Sequence, residues 1–384
     1  MRILFVESYP QVMMGQQRTL LALLAQCNSK NIEPLVACTA DGLFTQTVKE
    51  LGYETLIFSY PDKINVYGGE IYRYGMKDKL KTYLQVFKYI LSLKNKLKAN
   101  NVDVVYCNDM RGLLTVGVAA KLCGIPVVIW DKLDKPHGWL DKLQLPLVTK
   151  NIIISNSVLN KYPKFQRKIF SHKIEKVMEG VFLEQFSNIQ SIRRKFETST
   201  DDIVIAIVGS ISERKGHDRL LSIFPKLVEQ IPNLKLWVVG EAGSSKKEQY
   251  FFEVLPNKEH PNITFMGFRD DIPQIMASID ILVVPSRYEG MGMVIVEAMA
   301  AGKPVIGADC GGIPEVINNN ETGYIFDGDD LSDFKDKLLT LCEDQSLRIQ
   351  MGNNGYQRVI SQFDRKEQLD KVIQIIKKVN KNDD

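Results

Sequence analysis

Short apolar runs of four to six residues, separated by segments with helical spacing, set the rhythm of the first half of the chain. Residues 3–7 read as a strand, followed by a turn and an apolar-periodic helix near 17–26. Strands over 34–39 and 55–58 flank a helix near 44–51. A loop rich in Tyr and Gly leads into a long helix over 77–99, where Leu80, Tyr83, Leu84, Phe87, Ile90 and Leu91 recur at helical spacing. Runs at 102–107, 126–130 and 151–155 read as further buried strands, with a helix near 113–122.

The rhythm restarts after Phe186. Strands are expected at 203–208, 234–239, 263–265, 281–284, 305–307 and 324–326, with helices over 217–230, 293–301 and 331–342. Alternating strands and helices predict an α/β protein, here two Rossmann-like βα domains facing a central cleft. The expected domains are 1–185 and 186–362. Segment 363–384 carries a last amphipathic helix, about 365–379, reaching back to the first domain. Ligands of such sheets bind beyond the carboxyl ends of the strands, where helix N-termini offer free N–H groups to anions. A phosphorylated ligand in the cleft is the first expectation.

Composition narrows this only a little. Of 384 residues, 45% are hydrophobic and 25% charged, which suits a globular protein and excludes a collagen-like or disordered chain. No apolar run approaches the roughly 20 residues that cross a bilayer. Glu7 comes too early for a signal-peptide core. The six cysteines lack CxxC spacing and read as buried free thiols of a reducing compartment, so a cytoplasmic protein is expected. The net charge of +3 conceals an asymmetry: +9 over residues 1–190 and −6 over residues 191–384. The two domains are expected to meet different partners.

The richest stretch runs from Val283 to Pro304. A strand ends near Val284, and the loop Glu289-Gly-Met-Gly292 precedes a helix starting near Met293. Gly290 and Gly292 permit a close backbone approach that a side chain would block. Amides over Gly290, Met291, Gly292, Met293 and Val294 would cradle a diphosphate. Glu289 and Glu297 flank that cradle and would repel it unless they accept hydrogen bonds from hydroxyls, as a sugar and a ribose would provide. The plainer alternative is a solvated Glu289 and a Glu297 that stabilises a helix N-terminus.

Together with Val208-Gly-Ser-Ile-Ser-Glu-Arg-Lys-Gly216, Asn262-Ile-Thr-Phe-Met-Gly-Phe-Arg-Asp270 and Asp309-Cys-Gly-Gly-Ile-Pro-Glu315, this stretch resembles the GT-B retaining glycosyltransferases of family 4 (glycosyl transferases group 1). The resemblance covers about 203–326 and implies a sugar transferred from a nucleoside-diphosphate-sugar to an acceptor hydroxyl. It implies that Arg214 and Lys215 neutralise the donor diphosphate, Glu289 binds sugar hydroxyls near the anomeric carbon and Glu297 binds the ribose. Phe268 and Arg269 would lie near the base, and Gly15 and Gly209 against the donor. No cofactor and no metal are expected, and a UDP-sugar is favoured over a GDP-sugar. Asp327-Gly-Asp329 is read as a turn and helix N-cap rather than a metal motif. The implied acceptor is a bacterial surface polysaccharide or a lipid-linked oligosaccharide.

The first half fits the resemblance less well. Around Val12–Leu20 only Gly15 remains of a Gly-Gly loop, and Gln17 stands near the place of an acid. After the strand at 126–130 no His follows; Asp131, Lys132 or His137 would serve instead on the acceptor side. His137 also reads as a plain turn residue beside Pro136 and Gly138. The helix over 77–99 holds seven lysines against one acid, Asp78, so peripheral contact with an anionic membrane is one reading and an ordinary solvated helix the other. Nucleic acid is not an expected partner, since no recognisable module is present. Two other functions stay open: a nucleotide-sugar 2-epimerase, and a catalytically weakened nucleotide-sugar-binding subunit.

Overall fold

The computed structural model describes residues 1–61, 76–133, 136 and 138–380. Strands β1 (Arg2–Glu7), β2 (Glu33–Cys38), β3 (Glu54–Ile57), β4 (Val104–Cys107), β5 (Val127–Asp131), β6 (Lys150–Ile153) and β7 (Ile174–Lys176) form one parallel sheet in the order β3-β2-β1-β4-β5-β6-β7. Strands β8 (Ile203–Val208), β9 (Leu234–Val239), β10 (Ile263–Gly267), β11 (Ile281–Val284), β12 (Val305–Ala308) and β13 (Gly323–Phe326) form a second in the order β10-β9-β8-β11-β12-β13. Both sheets are covered on two faces, which explains the nearly continuous apolar runs in their central strands. The strand order reverses between β1 and β4, and again between β8 and β11. A crevice opens at each reversal, at the carboxyl ends of the strands.

Some elements escaped the hydrophobic pattern. Edge strand β7 is Ile-Glu-Lys, three residues with no apolar run. The Lys246–Glu253 helix buries no residue, so it has no stripe to read. The Gln345–Gln362 helix contains Gly352 and Gly355, which look like breakers in the sequence. In the fold they let it press on the Met293–Ala300 helix and its end: a Cβ on Gly352 would lie 2.0 Å from the Gly302 carbonyl oxygen.

The Arg365–Asn380 helix leaves the second domain and buries Leu369, Val372, Ile373 and Ile376 among Ile3, Phe5 and Leu20 of the first. The chain crosses at two adjacent segments, Val181 and 363–365, joined by Val181 N to Phe363 O and Arg365 N to Val181 O, both 3.0 Å. Ile153, Ile154 and Val158 in turn enter the apolar core of the second domain. Two sheets therefore share one packed seam beneath the cleft. The six cysteines are free, four of them buried. Among the described residues no helix is long and apolar enough to cross a membrane.

Candidate functional site

The crevice of the second sheet is built by the loops that follow β8 and β11. After β8 the short turn Glu213–Lys215 ends at Gly216, whose φ of 73° is left-handed and whose Cβ would fall 1.9 Å from the Pro285 carbonyl oxygen. Only glycine lets the two loops touch there. Arg287 N donates to Arg214 O at 2.7 Å, and Arg214 Nη1 to Tyr288 O at 3.1 Å. The stitched loops bring Lys215 Nζ to 2.5 Å and Arg214 Nη1 to 3.6 Å from Glu289 Oε2. Ser286 Oγ lies 3.5 Å from the same oxygen.

Glu289 is held from behind by the turn after β12. Gly312 N donates to Glu289 O at 2.9 Å, and a Cβ on Gly311 would sit 1.8 Å from that oxygen. Gly292, at φ 84°, then opens the Met293–Ala300 helix, whose first N–H groups have no intrahelical acceptor. Two cations, one carboxylate and a helix N-terminus thus converge at the carboxyl edge of the sheet. A diphosphate suits the cations and amides; the carboxylate suits hydroxyls beside it.

Glu297 lies one turn further along. Among the described residues nothing donates a hydrogen bond to its carboxylate. Burial pushes the carboxyl up to about 7; Arg365, Lys215 and Arg18 oppose the rise and Glu179 adds to it. Three of those four neighbours come from outside the second sheet. Glu179, in the crossing segment, accepts from Thr19 Oγ1 and lies 3.5 Å from Arg365 Nη2 and 3.7 Å from Lys132 Nζ. Lys132 Nζ sits 4.3 Å from the centre of the Trp130 ring, is buried, and meets no hydrogen-bond acceptor among the described residues. Burial lowers the pKa of this ammonium, with Glu179 opposing.

At the crevice of the first sheet, between β1 and β4, stands Glu7. Its Oε1 accepts from Tyr9 N at 2.7 Å and Gln17 Nε2 at 3.1 Å, and its Oε2 from Asn108 Nδ2 at 2.6 Å. Burial, followed by the nearby Asp109, raises this carboxyl to about 7. The acid absent at Gln17 is thus held one hydrogen bond away, at the end of β1.

The structure brings Arg214, Lys215, Glu289, Gly290, Gly292, Met293 and Val294 to one place, with Glu297 adjoining. Gly209 stands at the end of β8, where a Cβ would meet Lys215 Cε at 3.2 Å. Gly15 begins the Gly15–Cys27 helix. Met291 points away from the cradle: it is buried, and its sulfur accepts from Glu179 N at 3.4 Å. Phe268 is exposed beyond β10, while Arg269 is tied to Asp271 by contacts of 2.8 and 2.6 Å.

Two expectations need correction. Asp131 does not face the cleft: it is buried against Lys161 Nζ at 2.6 Å, Gln144 Nε2 at 3.0 Å and the Tyr162 hydroxyl. Alternation along β5 turns it to the face opposite Trp130. The helix cap after β13 is not Asp327 or Asp329 but Asp330, which accepts from Ser332 N and Asp333 N. Asp327 instead closes the turn by accepting from Asp329 N at 3.0 Å. His137 lies outside the described residues.

Glu7, Arg18, Glu179 and Arg365 were not singled out from the sequence. Glu7 had a readable signal, an acid at the end of the first strand. The others are isolated polar residues that only the crossing of the chain assembles.

Residues 188–358 match the family model for glycosyl transferases group 1. A D-inositol 3-phosphate glycosyltransferase of Corynebacterium kroppenstedtii is 32% identical over 194 residues, 47% of this chain and 43% of its own length. The chain thus spans less than half of that relative. The UDP-Gal:alpha-D-GlcNAc-diphosphoundecaprenol alpha-1,3-galactosyltransferase of Escherichia coli is 24% identical over 303 residues, 74% of this chain and 78% of its own. Among solved structures, Anabaena Alr3699/HepE in complex with UDP and glucose superposes with a TM-score of 0.77 at 19% identity, covering 98% of this chain and all of the other. The second domain is thus similar to the glycosyl transferases group 1 over residues 188–358, and the whole chain has the two-domain GT-B fold.

Proposed function

We propose that the protein transfers a sugar, with retention of configuration, from a nucleoside-diphosphate-sugar to an acceptor hydroxyl. The observation that carries this reading is the Lys215–Glu289 pair at the N-terminus of the Met293–Ala300 helix. Arg214, Lys215 and the loop amides would hold the diphosphate and stabilise the charge that grows on it as the C1–O bond breaks. Glu289 would accept hydrogen bonds from the donor sugar, and Glu297 from the ribose hydroxyls. The acceptor oxygen bonds to C1 on the face the diphosphate leaves, and its proton passes to the departing phosphate oxygen. Lys132, with Glu179 beside it, would complete the sugar pocket from the first domain.

A UDP-sugar is the favoured donor, supported by the UDP and UDP-Gal named for the Anabaena and Escherichia coli proteins. The proposed acceptor is a polysaccharide or lipid-linked oligosaccharide, supported by the lipid-linked sugar, GlcNAc-diphosphoundecaprenol, named for the Escherichia coli protein. Donor binding is proposed to need no metal. A thermal-shift panel of UDP, GDP, ADP, dTDP and CMP in EDTA, on wild type and Glu297→Ala, tests the site. Stabilisation by one nucleoside diphosphate, lost in the variant, supports the reading; no response to any of them overturns it.

A further inference from the structure

Ser155 opens the Asn156–Lys161 helical turn, a place where a hydroxyl ordinarily accepts from a free N–H of its own turn. Here it does not. Ser155 Oγ donates to Gly290 O of the second domain at 2.6 Å and lies 2.8 Å from Ser157 Oγ. The turn is capped instead from across the domain border. Asn156 N donates to Glu315 Oε1 at 2.7 Å, and Asn156 Nδ2 to Glu315 Oε2 at 2.9 Å. Lys176 Nζ, at the end of β7, meets Glu315 Oε2 at 3.0 Å. A carboxylate suits that place, since the amides that open a helical turn carry partial positive charge. A cap that could have stayed inside the first domain is thus exchanged for contacts between the domains.

The main chain of Glu315 is held by the second domain. Arg358, on the Gln345–Gln362 helix, donates to Glu315 O at 2.9 Å and to Val316 O at 2.8 Å. Three positions before Glu315, Gly312 gives its N–H to Glu289 O. A Cβ on Gly312 would fall 2.2 Å from Gly290 O and 2.9 Å from Ser155 Cβ. Gly312 is therefore pressed between the Glu289–Gly290 loop and Ser155, while Glu315 fastens the far end of the same segment to Asn156 and Lys176. The backbone that carries Glu289 is registered against the first domain as well as against its own sheet.

We infer that Glu315 is a positioning residue: its clasp on Asn156 and Lys176 sets the approach of the two domains and, through Gly312, the place of Glu289 in the cleft. The inference rests on the transfer reaction proposed above for its rate readout, and its contacts lie apart from the cradle of Arg214, Lys215 and the loop amides.

The test compares wild type with Glu315→Ala, Glu315→Gln and Asn156→Ala, by calorimetric titration of UDP, by UDP release from UDP-glucose and UDP-galactose, and by small-angle scattering. UDP, held by second-domain groups, should bind Glu315→Ala within twofold of wild type, at a melting temperature close to the wild-type one. Its release rate should fall at least tenfold, with KM little changed. Glu315→Gln keeps an acceptor oxygen for Asn156 N and should recover most of the rate. Asn156→Ala should slow release several-fold alone and add nothing to Glu315→Ala. Scattering should give Glu315→Ala a larger radius of gyration than wild type. The inference is overturned by an unchanged radius, by a wild-type rate, or by UDP affinity that falls in step with the rate; the last would assign Glu315 to the fold of the Glu289 loop. Should wild type bind no UDP, the transfer reading fails while scattering still decides the clasp.

Discussion

The Lys132 carbonyl oxygen lies 2.5 Å from the point where a side chain on Gly290 would begin. The first domain thus rests its backbone on the Glu289–Gly292 loop of the second, and Ser155 Oγ donates to Gly290 O at 2.6 Å alongside. Gly290 is needed here for contact between domains rather than for an unusual backbone angle. Gly290→Ala should leave both cores folded but prop the domains apart. Displacements of this kind cost on the order of 10²-fold in rate. Turnover should fall by about that factor while the melting temperature moves by less than about 2 °C; an unchanged rate would refute the contact.

Asp131 and Lys132 are neighbours with opposite fates, and two substitutions separate them. Asp131→Ala strips the partner from Lys161, whose side chain is 1% exposed. Leaving a buried cation unpaired costs about 3–5 kcal/mol, so the variant should melt far lower and respond weakly to any nucleotide. Lys132→Met removes a desolvated ammonium that meets Glu179 only at 3.7 Å and, among the described residues, no hydrogen-bond acceptor; Glu179 keeps Thr19 and Arg365, so stability should hold. Its kcat/KM should drop at least tenfold. Calorimetry on the pair, with single-turnover rates, decides whether Lys132 is the sugar-facing residue just beyond β5.

How far the site was legible follows from the same residues. The second-domain cluster is local in sequence: Glu289 to Glu297 spans one loop and about one helical turn, so spacing alone placed both carboxylates near a helix start. Arg214 and Lys215 were legible only through the family resemblance, since an Arg-Lys pair before a glycine reads by itself as a charged surface turn. Glu179 and Arg365 stand 186 positions apart and meet only because the last helix returns to the first domain. The return itself was expected from the amphipathic pattern of the last helix, but nothing in either neighbourhood marks which residues it brings together. The β5 exit was ambiguous because one residue of register decides which side chain enters the cleft.

Proton uptake gives a pH signature. Glu7 and Glu297 are raised from 4.5 to about 7, mainly by burial. The folded protein therefore holds protons that the unfolded chain releases between those values. The stability they contribute is full below about 4.5 and is lost as pH rises through 7. His217, buried and lowered to about 4, acts oppositely below 6.5. Melting temperature should thus climb from pH 8 to 6.5, less steeply in Glu7→Gln and in Glu297→Gln. A flat wild-type profile across that interval would contradict the buried carboxyls.

Binding should show the reverse slope. An ionised Glu297 can accept from both ribose hydroxyls, and a protonated one gives up an acceptor. Nucleoside-diphosphate affinity should weaken as pH falls from 8 to 6, and the part lost in Glu297→Gln reports this carboxylate. A variant with the wild-type slope would move the ribose contact elsewhere.

Lys215 neutralises Glu289 at 2.5 Å, so the cation proposed to meet the phosphate is already engaged. Binding a diphosphate must divide Lys215 between two anions. Removing one of them has opposite effects on the two halves of the reaction. Glu289→Gln frees Lys215, so nucleoside diphosphate without sugar should bind as well as to wild type or several-fold tighter. The same variant lacks the carboxylate proposed to sit beside the anomeric carbon, and turnover should fall at least 10²-fold. Lys215→Ala should do otherwise, weakening nucleoside diphosphate at least tenfold while leaving the monophosphate little changed. Titration calorimetry of mono- and diphosphates against the two variants separates these outcomes. Equal losses for both nucleotides in Lys215→Ala would show that this lysine serves the fold of the loop and not the phosphate.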